Sequence, residues 1–149
     1  MPGIMGTYAM SWQSFALYFG RQRAMSRSIG FKADNPRSIE WESRDCAVRA
    51  SSIAMGLPYA DIHARYKAAG RRDKRGTCTS IMSRILNHIS EYRFSSWEAP
   101  TLAQFVAQHK SGRWVVCSHN HAFAVINGVV HDAGPIGART RVRNAWRVI

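Results

Sequence analysis

His121-Ala122-Phe123-Ala124-Val125-Ile126-Asn127-Gly128-Val129-Val130-His131-Asp132 is the stretch on which the reading of this chain turns. Residues 121–126 have strand character, Asn127-Gly128 is the strongest short signal for a two-residue type I′ turn, and Val129–Asp132 is the returning strand. With Asn127 and Gly128 at the turn, Phe123 lies opposite Asp132 and His121 opposite Gly134. Side chains alternate along a strand, so His121 and Phe123 share a face while His131 turns to the other. His121 and Asp132 are then same-face diagonal neighbours, about 7 Å apart at the backbone and within side-chain reach. Arg113–Ser118 reads as a further strand before the hairpin and Arg141–Ile149 as one after it.

Upstream the period changes to that of helices. Asp45 is a good N-cap, Cys46–Met55 is helical, and Gly56 suits the left-handed C′ position. Either Val48, Ser52 and Met55 or Ala47, Ala50 and Ala54 can line its buried face. Pro58 opens a second helix through Ile62, Tyr66 and Ala69, which Gly70 ends; Arg71–Gly76 is a basic loop. Thr77 or Thr79 is expected to cap a third helix running through Ile81, Ile85, Leu86 and Ile89. Thr101 caps a short fourth, with Leu102, Phe105 and Val106 inward. Helices first and antiparallel strands after give an α+β class, one domain over residues 39–149. Residues 1–38 read as an N-terminal arm that packs on the domain or on a partner. Within it, Ser11–Ala24 suits an amphipathic helix closed by Gly20 or fraying past it, and Gly30–Ser38, with Asn35-Pro36, suits a loop.

Asp45-Cys46 at a helix start is the feature with chemical content. The positive end of a helix stabilises a thiolate, and the outward N–H of Cys46 can help hold an oxyanion. Taken alone, the pair better suits an ordinary buried cysteine beside a capping aspartate. A thiolate enzyme also needs an imidazole to move protons and an acid to orient it, which His121 and Asp132 supply. Cys, His and Asp in that chain order, on a helix start, a strand start and the neighbouring strand, resemble the papain-like cysteine peptidases. Asp45-Cys-Ala-Val-Arg-Ala50, Gly56-Leu-Pro-Tyr59 and the 121–132 hairpin are similar to the small papain-like proteins of tailed bacteriophages and prophages, over roughly residues 40 to 135. The resemblance implies a helical part carrying Cys46 packed on a small antiparallel sheet carrying His121 and Asp132. It also implies a cysteine hydrolase (peptidase, amidase or isopeptidase) that needs no cofactor. Such enzymes usually place a Gln a few residues before the Cys, whereas Ser38–Asp45 holds neither Gln nor Asn. Gln13, Asn35 or Ser43 can substitute; a weak oxyanion hole would cost about 2.7–4 kcal/mol of transition-state stabilisation. The alternative is therefore a catalytically weak or inactive papain-like fold, serving as a virion structural or host-interaction protein with a basic binding surface. His119 and Asn120 form a polar turn placed to contact substrate. Trp41 and Trp114 are candidates for the cleft as well as for the core.

Bulk properties are compatible with this reading. The 149 residues suit one domain, and 46% apolar and 20% charged residues are average for a globular protein. No apolar run is long enough to span a bilayer, and Arg21, Arg23 and Arg27 follow the Phe15–Phe19 patch, the reverse of a secretory signal. The expected location is the cytoplasm of an infected bacterial host, or a virion. Cys46, Cys78 and Cys117 have no disulfide spacing, and Cys78 is expected to be a surface or half-buried thiol. The net charge of +12 favours acidic partners or nucleic acid beside a protein or peptide substrate, with virion proteins as partners of the arm. A metal site at Cys117, His119, His121 and His131 is disfavoured because three candidates crowd one turn. His63 and His88, in expected helices, read as solvent-facing, and Tyr59 as packing.

Overall fold

The computed structural model describes residues 29–149; the expected Ser11–Ala24 helix and Gln13 lie outside them. The elements are β1 (Gly30–Ala33), α1 (Cys46–Met55), α2 (Tyr59–Ala68), α3 (Thr79–Ile85), β2 (His88–Arg93), α4 (Leu102–Gln108), β3 (Arg113–Cys117), β4 (Ala122–Ile126), β5 (Val129–Asp132) and β6 (Asn144–Val148). The six strands form one sheet in the order β1-β5-β4-β3-β6-β2. The α+β class is met. The sheet is mixed, however, because β1 runs parallel to β5 while the other pairs are antiparallel.

Alternation along the strands divides the core in two. Val115, Cys117, Ala122, Ala124, Trp146 and Val148 face α1, with Ile62, Tyr66, Met82 and Leu86 of the flanking helical part completing that layer. Trp114, Val116, Phe123, Val125, Val130 and Ala145 face Leu102 and Phe105 of α4. Helix α1 is enclosed nearly all round: the stripe Ala47, Ala50 and Ala54 is buried, and so are Val48 and Ser52 of the other, while Met55 is half-buried. Its small residues let backbone approach backbone. The two buried hydroxyls are satisfied, Ser51 Oγ by Ala47 O and Tyr66 Oη at 2.7 Å each and Ser52 Oγ by Leu57 O at 2.7 Å. Gly56, at φ 66°, ends α1 with its own N–H on Ile53 O and the Leu57 N–H on Ser52 O. That is a Schellman closure, for which the left-handed φ favours glycine. The Arg113 guanidinium then donates to Ala54 O at 2.6 Å and Ile53 O at 3.2 Å, a cation on the negative end of the helix.

Several expectations are corrected. Gly30–Ala33 is a strand, not loop, paired from Gly30↔Val129 to Ala33↔Asp132 and followed by Asp34 N–H on Asp132 O at 2.8 Å. The third helix is capped at Cys78, rather than at Thr77 or Thr79, and stops at Ile85. Leu86 turns extended, so Ile89 and His88 lie in β2, not in a helix. Ile85 and Ile89 share helical spacing, but the open edge of β6 captures the chain from His88 onward, and tertiary pairing overrides the local period. Strands are thus interleaved with the helices rather than following them. At α4 the Thr101 cap is present as a full capping box with Gln104. Among the described residues no helix is long and apolar enough to cross a membrane.

Candidate active site

The β4–β5 hairpin has the expected register, Ile126↔Val129, Val125↔Val130 and Ala124↔His131, which by count sets Phe123 opposite Asp132. Asp132 is the last residue of β5 and is 5% exposed. His121 stands immediately before β4, its carbonyl held by the Ser118 N–H at 2.8 Å, so the 118–121 turn fixes where the imidazole starts. Phe123 lies two residues on, its ring stacked on His121 at 6.1 Å between centroids. These constraints bring His121 Nε2 to 2.6 Å from Asp132 Oδ2.

Cys46 is the first residue of α1, half-buried where that helix meets the end of β4. The His121 side chain and the backbone N–H of Ala122 are the groups whose hydrogen bonding lowers its thiol. With Nε2 turned to Asp132, Nδ1 is the ring nitrogen left for the sulfur. Burial pushes the thiol up, but the His121 and Ala122 bonds and the nearby His121 and Arg49 charges outweigh it and leave it below its ordinary 9.0. His121 is raised to about 9, first by the hydrogen bond to Asp132 and then by that to Cys46. Opposite shifts in two bonded groups favour a thiolate–imidazolium pair. The other two thiols differ. Cys117 is buried 3.7 Å from the Met82 sulfur and pushed up to about 12 by burial. Cys78 is exposed and lowered by Ser80 and the Ile81 N–H, with no imidazole among the causes.

Asp45 does not cap α1 with its side chain. Its buried carboxylate is instead a junction. It accepts from Arg37 Nε at 2.8 Å and again from Arg37 Nη2, from Tyr59 Oη at 2.7 Å, and from Arg49 Nε at 3.2 Å. Burial opposes its ionisation, and the Arg37 and Tyr59 bonds with the Arg49 charge overcome that and hold it below its ordinary value. Arg49 also places Nη1 3.9 Å from Asp132 Oδ1, so one guanidinium spans the two acids flanking the Cys–His pair. Tyr59 is more than packing.

A second buried acid orders the approach to Cys46. Glu42 Oε1 accepts the N–H groups of Ser43 at 2.9 Å and Lys74 at 2.7 Å, while Oε2 meets His63 Nε2 at 2.6 Å and Arg71 Nη1 at 3.0 Å. Burial would raise this carboxyl, yet the Arg71 and His63 bonds bring it down to about 2. His63 is therefore buried at 6% exposure, not solvent-facing. Glu42, His63 and Asp73 have ligand-type atoms within 4.8 Å of one another. Both Glu42 oxygens are already engaged, one by a guanidinium, so the cluster is an ion-pair lock on the 42–45 loop rather than a metal centre.

The remaining candidates divide. Exposed Ser43 is held in that loop, its N–H on Glu42 and its carbonyl 3.4 Å from Arg71 Nη2. Asn35 is exposed and accepts the Arg37 N–H at 3.3 Å, closing its own turn. Trp41, 51% exposed, stands edge-on 6.0 Å from the His63 ring, over the Glu42 lock. Trp114 is core, 2% exposed and packed among Tyr92, Phe105 and His109. His119 and Asn120 are exposed on the turn before His121 and border a cavity of about 340 Å³. His131 alternates to the face opposite Asp132, beside Lys32. Reasoning from sequence missed Arg37, Glu42, Arg49 and Arg71. For Arg49 a signal existed, since it follows Asp45 at the i,i+4 spacing of helical ion pairs. Comparison with protein-family models, with curated proteins and with solved structures gives no match.

Proposed function

We propose that this chain is a papain-like cysteine hydrolase of phage or prophage type that cleaves an amide, peptide or isopeptide bond. The observation that carries the reading is the 2.6 Å His121–Asp132 hydrogen bond together with a Cys46 thiol that His121 lowers against its own burial. In this reading the Cys46 thiolate attacks the substrate carbonyl carbon, forming a C–S bond while the π electrons move to oxygen. The Cys46 N–H, which as the first of α1 has no acceptor within the helix, donates to that oxyanion. As the tetrahedral centre collapses, the C–N bond breaks and imidazolium His121 gives its proton to the departing amine, leaving a thioester. His121, now neutral, takes a proton from water as the water attacks the thioester, and acid and thiolate are released. Asp132 holds the tautomer and orientation of the ring throughout.

Alkylation with iodoacetamide near neutral pH, mapped by mass spectrometry, tests the reading. Cys46 is expected to react at least about tenfold faster than Cys78, since a paired thiolate outcompetes an isolated thiol at that pH. Fastest reaction at Cys78, or a Cys46→Ala variant that retains full biological function, counts against it.

A further inference from the structure

The cavity beside the His121 turn has a marked chemical character. Ser118, His119 and Asn120 line it together with Thr140, Arg141, Arg143 and Ser96; among the described residues no carboxylate does. The walls are stitched together by backbone. Arg143 N–H donates to Cys117 O at 2.8 Å, Val142 N–H to Pro100 O at 2.8 Å, and Leu102 N–H to Thr140 O at 2.7 Å. Arg141 spends one donor, Nη1, on Ala99 O at 3.0 Å. Arg143 Nε is buried without a hydrogen-bond partner among the described residues. A guanidinium carries five N–H donors, so Arg141, with one bond to Ala99 O, and Arg143 both keep donors for a ligand in the opening they line. Two guanidiniums and three hydroxyls around one opening suit an anion, and the guanidinium fork matches a planar carboxylate in particular. The opening is lined by Ser118, His119 and Asn120, the turn that leads into His121. A volume of about 340 Å³ suits one side chain with its solvent and is too small for a length of nucleic acid.

We infer that this cavity is a substrate subsite which recognises a carboxylate on the peptide, either an acidic side chain or a free C-terminus. The inference rests on the hydrolase reading and adds a substrate class to it: peptides acidic next to the scissile bond.

Two measurements on the full chain test it. In the first, Cys46 alkylation is timed with peptidyl epoxysuccinates carrying Glu or Gln at each position flanking the electrophile, and with C-terminal acid or amide. At one position the acidic probe is expected to react faster, by on the order of tenfold, as one charge-assisted hydrogen bond would give. That ratio should fall to about one in Arg141→Gln/Arg143→Gln and persist in Arg141→Lys/Arg143→Lys, with circular dichroism confirming that both fold. A side-chain preference identifies an internal acidic residue, and an acid-over-amide preference a C-terminal carboxylate. No preference at any position overturns the subsite, while brisk alkylation by iodoacetamide would leave the hydrolase reading standing. The second measurement needs no chemistry at Cys46. In Cys46→Ser, acetyl-Ala-Glu-Ala-amide should shift the amide resonances of Ser118, Asn120 and Arg143 more than acetyl-Ala-Gln-Ala-amide does, or acetyl-Ala-Gln-Ala free acid should do so. Equal or absent shifts with all three peptides overturn the inference even if the thiol proves unreactive.

Discussion

Asp132→Asn is the substitution that isolates electrostatics from shape at this site. Asn keeps the size of the side chain and removes the carboxylate whose hydrogen bond is the first cause of the raised His121 and whose charge is a further one. Arg49 retains Asp45 as a partner at 3.2 Å, so the helix–sheet junction stays closed. With His121 at about 9, roughly nine-tenths of the imidazole is protonated at pH 8. Were it to return fully to its ordinary 6.5, about 3% would be, a loss on the order of 30-fold in the imidazolium partner. The Cys46 bond holds part of the elevation, so the fall is toward that limit. The thiol in turn loses its nearest cation and rises toward 9.0. Two readouts follow the change. The His121 ring proton titration by NMR should move from near 9 toward 6.5. The acid limb of the iodoacetamide rate profile should move up, so that the rate at pH 6 falls about tenfold for each pH unit of that movement. The stability profile carries the same signature. A folded value above the unfolded one means a contribution complete below 6.5 and lost as pH rises through about 9, so the variant should lose less on the alkaline side than the parent does. An unchanged His121 midpoint in Asp132→Asn would refute the reasoning, whatever happened to activity.

Three further outcomes are expected. Glu42→Gln should cost about 3 kcal/mol at neutral pH, the worth of holding a carboxyl near 2 rather than 4.5, measured by urea unfolding. Because that folded value lies below the unfolded one, the contribution is complete above about 4.5 and lost as pH falls toward about 2; the variant's acid limb should be flatter than the parent's. Tyr59→Phe removes a donor from the fully buried Asp45 carboxylate and should cost about 1–3 kcal/mol in thermal or chemical melts, with an unchanged melt counting against the junction. Gly112→Ala should destabilise by about 1–2 kcal/mol, the cost of a left-handed backbone at φ 92°, since the Arg147 guanidinium that its Cβ would meet at 2.7 Å is the end of a flexible side chain and can turn away.

What could be read in advance, and what could not, follows from where the information sits along the chain. The hairpin was legible because its period and its Asn127-Gly128 turn are both local, and its register then placed His121 beside Asp132 without reference to anything else. Helix α1 was legible for the same reason, down to Gly56. Strand β1 was not. All four of its residues are exposed, so no alternation marks it, and its pairing with β5 lies a hundred residues away. The Glu42 lock is the sharper case. An ionised carboxylate is stable in the interior only if enough donors converge on it, and the four groups around Glu42 come from its neighbour and from positions 21, 29 and 32 residues on. No helix or strand window contains those residues together, and each of them taken alone looks like a surface residue. The same holds for Asp45, whose position suggests a cap while its partners, eight and fourteen residues away, make it an anchor. Charge satisfaction around a buried acid is a property of the folded chain, and here two such acids hold in place the four residues that lead into Cys46. A nucleophile displaced by an ångström loses its base, which is why the residues least visible from the sequence are the ones whose removal should tell most about the site.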